Sequence, residues 1–131
     1  LRLETLARNT LARRADAGGA VPATRRIDTA GEDQARMPTP ALRLVHAARR
    51  AGIEAVLSRD AGAYLCNYLC WRATALTGGK TGPRLIAFVH VPPVARGPAG
   101  RGTLSAAALE RAGAAMLGEL IRCLGSAGKA A

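Results

Sequence analysis

Leu1, Leu3 and Leu6, with Glu4 among them, form a strand-like segment at the start of the chain. This predicted strand begins abruptly, as it would in a domain truncated at its N-terminus. Residues 8–40 follow with no period of 2 or 3.6 residues, and glycines and prolines interrupt them. We therefore expect an irregular, flexible segment over 8–40.

From Pro40 onward the hydrophobic pattern alternates between helical and strand spacing. It predicts a helix from Pro40 that stops at Gly52, strands over 53–58 and 84–91, and helices over 64–75 and 105–124. The run 84–91 is nearly continuous in apolar residues, which is typical of a strand buried on both faces. A loop that ends at Gly102 and a fraying tail over 125–131 complete the prediction. This alternation predicts an α/β fold of three layers, α/β/α, with a mostly parallel sheet.

Size and charge limit the class of protein. A chain of 131 residues predicts a single, here partial, domain. Its net charge of +10 would suit a nucleic-acid-binding protein, whose affinity falls steeply with salt. The arginines, however, are spread along the chain, aromatic residues make up only 3%, and no recognition motif is present. We keep nucleic-acid binding as an alternative and do not expect it.

The three cysteines are Cys66, Cys70 and Cys123. Their odd number and their spacing do not fit the disulfide framework of a small secreted domain. A reducing, cytoplasmic setting fits them better. No apolar run approaches the roughly 20 residues of a membrane span, and no signal-peptide pattern opens the chain, so we expect no membrane association.

Two chemically reactive side chains are predicted to lie where strands end. Cys66 falls near the first turn of the helix after strand 53–58, and His90 falls at the end of strand 84–91. Ligands of open α/β sheets bind beyond the carboxyl ends of the strands. The positive end of a helix lowers the pKa of a thiol, and a neighbouring imidazole can exchange a proton with it. A buried cysteine that acts as a small apolar residue would fit the same pattern, which does not decide between the two.

The residues around these positions are more specific. Ser58–Asn67 read Ser-Arg-Asp-Ala-Gly-Ala-Tyr-Leu-Cys-Asn, Phe88–Pro92 read Phe-Val-His-Val-Pro, and Leu3–Asn9 read Leu-Glu-Thr-Leu-Ala-Arg-Asn. These segments resemble the pyroglutamyl peptidase I (pyrrolidone-carboxylate peptidase) family. The family's patterns are Ser-x-x-Ala-Gly-x-x-x-Cys-Asn for the nucleophile, Phe-Ile-His-Val-Pro for the catalytic histidine, and Val-Glu-Arg-Val-Ala-x-Asn for the third catalytic residue.

The resemblance implies a cysteine peptidase that removes an N-terminal pyroglutamyl residue from peptides. Cys66 would attack the acyl carbon, His90 would pass the proton to the departing amine, and Glu4 would hold the imidazole. Arg14 and Leu65 would bind the substrate. The resemblance implies no metal and no other cofactor.

The resemblance covers about the C-terminal three fifths of a family domain of roughly 200 residues. The family's N-terminal strand and substrate loop have no counterpart here, and Arg59 and Asp60 place two charges beside the expected site. An inactive, truncated relative is therefore an alternative to an active peptidase. An open sheet edge would also expose apolar surface, so we expect poor solubility or self-association, the latter as a homo-oligomer.

Other polar residues have simpler explanations. We expect Cys70 and Cys123 to pack in the core, and His46 to be solvated or partly buried on an arginine-rich helix. Gly78–Thr81 is predicted to be a loop, because the upstream glycine of a phosphate-binding loop is missing. Asn67 is expected to cap the helix or to form a hydrogen bond near the nucleophile.

Overall fold

A computed structural model describes residues 1–77, 79, 81–95 and 104–127. The predicted loop residues Gly78 and Lys80, those at 96–103 and the tail residues 128–131 lie outside the described residues. In chain order the elements are β1 (Arg2–Glu4), β2 (Leu6–Arg8), β3 (Gln34–Arg36), α1 (Ala41–Arg50), β4 (Val56–Ser58), α2 (Leu65–Ala75), β5 (Phe88–His90), β6 (Val94–Ala95), β7 (Leu104–Ser105) and α3 (Ala106–Ala127). Helices and strands are mixed along the chain, so the predicted α/β class is confirmed.

The chain divides into two compact units. The first comprises Leu1–Leu3, Thr39–Leu57 and Ala87–Ala131, and the second comprises Glu4–Pro38 and Ser58–Ile86. The first unit contains α1, α3 and most of the sheet that β1 belongs to. The second contains β2, β3 and α2. In the described ranges, none of the helices combines the length and apolar content that crossing a bilayer requires.

The core of the first unit lies between α1 and α3. Leu44 and Val45 of α1 belong to one buried cluster with Ala112 and Met116 of α3. Burial of a side chain the size of Leu44 contributes roughly 1.5–3 kcal/mol. Gly52 follows α1 with a φ of +84°, in the left-handed region that favours glycine, so the helix ends as predicted.

Strands β4, β1 and β5 form a three-stranded sheet in that order. The Leu1 ammonium donates to the Glu54 carbonyl oxygen at 2.6 Å, and the Val56 N–H donates to the Leu1 carbonyl oxygen at 3.0 Å. In a parallel ladder, a residue of one strand forms hydrogen bonds to the two residues on either side of its partner in the other strand. Strands β1 and β4 therefore run parallel, and α1 lies in the connection between them.

Strand β5 is shorter and less buried than the run 84–91 predicted. It comprises only three residues, Phe88–His90, and all three are half-buried. The Ile86 N–H, just before β5, donates to the carbonyl oxygen of Pro38 in the segment between β3 and α1. Among the described strands β5 also comes last in the sheet order, which leaves it at an edge.

The second unit contains a small antiparallel pair. Strand β2 pairs with β3, and Leu6 lies opposite Arg36. Strand β3 falls inside 8–40, where no strand was predicted. Its three residues, Gln34–Arg36, are too few to show a hydrophobic period in the sequence, and the pairing with β2 makes them extended.

The buried side chain of Asn9 holds the loop between β2 and β3. Its Nδ2 donates to the carbonyl oxygens of Asp28 and Glu32 at 2.7 and 2.9 Å. Its Oδ1 accepts the N–H groups of Ile27 and Asp28 at 2.9 and 2.8 Å. One amide therefore satisfies several backbone groups that a loop without secondary structure leaves open.

Candidate active site

Cys66 is the second residue of α2, as predicted, and it is half-buried. Tyr64 precedes the helix and provides no side-chain cap. The N–H groups in the first turn of a helix have no acceptor within the helix, and this end carries the positive end of the dipole. The position therefore offers backbone hydrogen-bond donors to an oxyanion that forms next to it.

Asn67 anchors the start of α2 to β2. Its Nδ2 donates to the carbonyl oxygens of Arg8 and Thr10 at 2.8 and 3.0 Å, and its Oδ1 accepts the Arg8 N–H at 2.8 Å. The side chain is fully buried. Of our two expectations for Asn67, the helix cap is wrong. The side chain bonds to backbone almost sixty residues earlier in the chain and so positions its neighbour Cys66.

Cys70 lies one helical turn after Cys66 and is buried, as predicted, with 1% of its surface exposed. Burial, and next to it the negative charge of Glu4, raise the pKa of Cys70 to about 12. Its thiol therefore stays protonated at neutral pH and is a poor nucleophile. The two cysteines on this face of α2 thus differ in burial, and of the two only Cys66 is accessible to a substrate.

Glu4 is the last residue of β1 and is fully buried. Its charge acts on Cys70, so the structure brings Glu4 close to the helix face that also carries Cys66. A buried carboxylate is costly unless polar partners compensate it, which makes such residues frequent at functional sites. The catalytic role of Glu4 stays a prediction.

His90 is the last residue of β5 and is half-buried. Its ring centroid lies 5.1 Å from that of Phe88, and the two planes meet at 69°. This edge-to-face contact restricts the orientation of the imidazole. His90 belongs to the first unit, whereas Cys66 and Glu4 belong to the second.

A cavity of about 310 Å³ lies in the second unit beside the start of α2. Arg14 and Leu65, the two predicted substrate-binding residues, both line it, together with Tyr64 and Tyr68. The two tyrosines were not among the predicted site residues, although they lie on either side of Cys66 in the sequence. The cavity is thus lined by Leu65, the residue directly before Cys66, and by Arg14, the other residue predicted to bind substrate.

The remaining candidates lie apart from this cavity. Cys123 is half-buried, less than the core position we expected. His46 is exposed, as expected of a solvated histidine. Within the described residues, no group of three or more histidine, cysteine or acidic side chains could hold a metal ion.

The sequence profile of the pyroglutamyl peptidase family matches residues 1–113. The chain belongs to this family. It is 26% identical to the pyrrolidone carboxyl peptidase of Thermococcus litoralis, with a TM-score of 0.71, over 92% of this chain and 61% of that one. The enzyme of Fervidobacterium islandicum is 22% identical with a TM-score of 0.77, over 92% of this chain and 62% of its own.

A third relative is the pyrrolidone carboxyl peptidase of Thermus thermophilus. Its sequence identity to this chain is higher than that of the first two, over a shorter stretch. It is 32% identical, with a TM-score of 0.52, over 56% of this chain and 39% of that one. The chain thus spans about three fifths of the length of the first two relatives.

Two charged residues occupy variable positions of the pyroglutamyl peptidase motif before Cys66. The Asp60 carboxylate pairs with the Arg8 guanidinium at 3.3 Å and accepts the Gly62 N–H at 2.9 Å. Gly62 has a φ of +81°, which explains the glycine of the motif. Asp60 therefore closes the turn that leads into α2, and its charge is balanced by Arg8.

Proposed function

We propose that the chain is a cysteine peptidase that removes an N-terminal pyroglutamyl residue from peptides. The observation that carries the proposal is the contrast on α2 between half-buried Cys66, at the helix start, and buried, protonated Cys70. The cavity lined by Arg14 and by Leu65, the residue before Cys66, offers a place for the substrate. Membership of the pyroglutamyl peptidase family supports the choice of substrate.

In the proposed reaction the Cys66 sulfur attacks the carbonyl carbon that joins the pyroglutamyl group to the next residue. His90 accepts the thiol proton and gives it to the departing amine as the carbon–nitrogen bond breaks. Water then attacks the thioester, again with His90 as the base, and releases free pyroglutamate. Glu4 would keep the imidazole in the required tautomer.

The oxyanion of the tetrahedral intermediate needs hydrogen-bond donors near the sulfur. The backbone N–H groups in the first turn of α2 are suited to this role, because they have no acceptor within the helix. Asn67 would keep that turn in place through its bonds to Arg8 and Thr10.

A fluorogenic pyroglutamyl amide tests the proposal on this chain. We expect turnover that falls by at least about 10³-fold in Cys66→Ala. Cys123→Ala is the matched control, since it makes the same substitution on α3 and should keep the wild-type rate.

The alternative is a relative without activity. In its favour, the chain spans only about three fifths of the length of the first two relatives. It predicts no turnover from a chain whose circular dichroism spectrum shows a folded α/β protein. That result would refute the proposed activity.

We further propose a cytoplasmic setting and peptides as the partners. The support for the setting is that all three cysteines are free thiols, as in proteins of a reducing compartment. Self-association stays a prediction. Leu117 and Ile121 expose 61% and 68% of their surface on α3, and sizing chromatography will show whether copies of the chain associate.

A further inference from the structure

A smaller cavity of the second unit, of about 130 Å³, is lined by two arginines. Arg36 is the last residue of β3, and Arg59 directly follows β4. The rest of the described lining is Thr5 and Leu6. Two guanidinium-bearing side chains from distant parts of the chain therefore meet at one small cavity, whose described lining contains no acidic residue.

Thr5 holds the backbone from which both arginines extend. Its N–H and its Oγ1 both donate to the Ser58 carbonyl oxygen at 2.9 Å, and its carbonyl oxygen accepts the Met37 N–H at 3.1 Å. Ser58 directly precedes Arg59, and Met37 directly follows Arg36. The hydrogen bonds of one residue thus fix the two chain segments relative to each other, which keeps the arginines at the same cavity.

The charge of these arginines is not balanced by carboxylates. Among the described residues, neither Arg36 nor Arg59 forms an ion pair. Asp60 follows Arg59 in the sequence, but it pairs with Arg8 and accepts the Gly62 N–H, and it does not line the cavity. The turn into α2 therefore uses Asp60, and the lining of the cavity carries two positive charges.

We propose that this cavity binds a phosphate dianion between Arg36 and Arg59. The planar fork of a guanidinium donates two hydrogen bonds to neighbouring phosphate oxygens. A dianion balances the charge of both arginines, whereas one carboxylate would balance only one of them. The volume of about 130 Å³ is far below the roughly 300–1,000 Å³ of a pocket that encloses a whole ligand. It suits a phosphate group, either the free ion or the end of a phosphate monoester whose organic part stays in solvent.

The expected affinity is modest because both arginines are exposed. We expect a Kd of about 1–10 mM for inorganic phosphate at pH 8. Arginine stays protonated between pH 5.5 and pH 8, whereas phosphate loses most of its second negative charge as the pH falls through this range. Binding should therefore weaken by at least about threefold at pH 5.5. Sulfate is a dianion at both pH values, so its affinity should not change.

A titration with inorganic phosphate, followed by the ¹H–¹⁵N NMR spectrum of the whole chain at constant ionic strength, provides the test. The Thr5 and Leu6 amide signals should shift and saturate. Arg36→Gln and Arg59→Gln should each raise the Kd by at least about fivefold, with the remaining signals in place. Arg25→Gln is the matched control, because Arg25 is an exposed arginine of the same unit that does not line the cavity.

The control should leave the Kd unchanged. A Kd that stays the same in both Arg36→Gln and Arg59→Gln, or signals that do not saturate in the wild-type chain, would overturn the proposal. Acetate that binds as tightly as phosphate would overturn it too, because acetate carries a single charge.

Phenyl phosphate distinguishes the two sources of the dianion. Binding with an affinity close to that of inorganic phosphate supports a site that accepts phosphorylated molecules, and binding of inorganic phosphate alone supports a site for the free ion. None of these measurements needs turnover of a peptide. A chain without peptidase activity that still binds phosphate at this cavity would refute the proposed function and support this proposal.

Discussion

Replacing Asn67 with alanine removes the three hydrogen bonds that tie the start of α2 to β2. These bonds join the side chain to the Arg8 N–H, the Arg8 carbonyl and the Thr10 carbonyl at 2.8–3.0 Å. Each contributes about 1 kcal/mol net, and more where a buried group is left without a partner. Asn67 is fully buried, so we expect Asn67→Ala to lower the free energy of unfolding by about 3 kcal/mol.

Urea denaturation followed by circular dichroism measures this loss. With an m value of about 2 kcal/mol/M, the midpoint should fall by roughly 1.5 M. Leu69→Ala, at a position on the same helix that is 56% exposed, is the control and should change the free energy by less than about 0.5 kcal/mol. A loss below about 1 kcal/mol in Asn67→Ala would refute the anchoring role.

Three more predictions concern single side chains. The Arg122 guanidinium, and that of Arg43, hold the pKa of Glu119 below its ordinary range. Glu119 should therefore stabilise the fold above about pH 4.5 and lose this effect as the pH falls further, so Glu119→Gln should lower the melting temperature at pH 7 more than at pH 3. The Cys70 thiol should react with iodoacetamide only after unfolding, because it is buried and its pKa is about 12; labelling in the native protein would contradict this. Asn9→Ala should raise the rate of tryptic cleavage about tenfold in the loop between β2 and β3, which Asn9 holds. An unchanged rate would show that other contacts hold this loop.

The features that follow from local sequence were predictable. Helix α1 has its apolar residues at helical spacing and a glycine, Gly52, where it ends. The place of Cys66 at the start of α2 followed from the Ala-Gly turn before it. These predictions depend on residues within a few positions of one another, where spacing and turn chemistry determine the backbone.

The features that depend on distant residues were not predictable. Strand β3 is held by its pairing with β2, and the Ile86 N–H, within the apolar run before β5, donates to the carbonyl oxygen of the distant Pro38. Glu119 is another example: it lies in α3 with only 6% of its surface exposed. Its charge is compensated by Arg43 of α1, across 76 positions of the chain, and no local pattern of hydrophobicity reveals that partner.

The candidate site likewise combines features that were predictable from the sequence with features that were not. The motifs selected Cys66, His90 and Glu4, and the structure adds why Cys66 differs from Cys70. What the motifs could not show is that the Tyr64 and Tyr68 rings each have an arginine guanidinium next to them. The Arg14–Tyr64 contact joins residues that are distant in the sequence and exists only once the second unit has folded, whereas Arg72 and Tyr68 are neighbours on α2.

The most direct test of the central claim is covalent trapping with a pyroglutamyl chloromethyl ketone. A nucleophilic sulfur displaces the chloride and forms a thioether, and mass mapping of tryptic peptides locates the adduct. We predict one adduct per chain, on Cys66, which forms faster than with a chloromethyl ketone that lacks the pyroglutamyl group. An adduct on Cys70 or Cys123 of the native chain, or equal rates with the two reagents, would contradict the account.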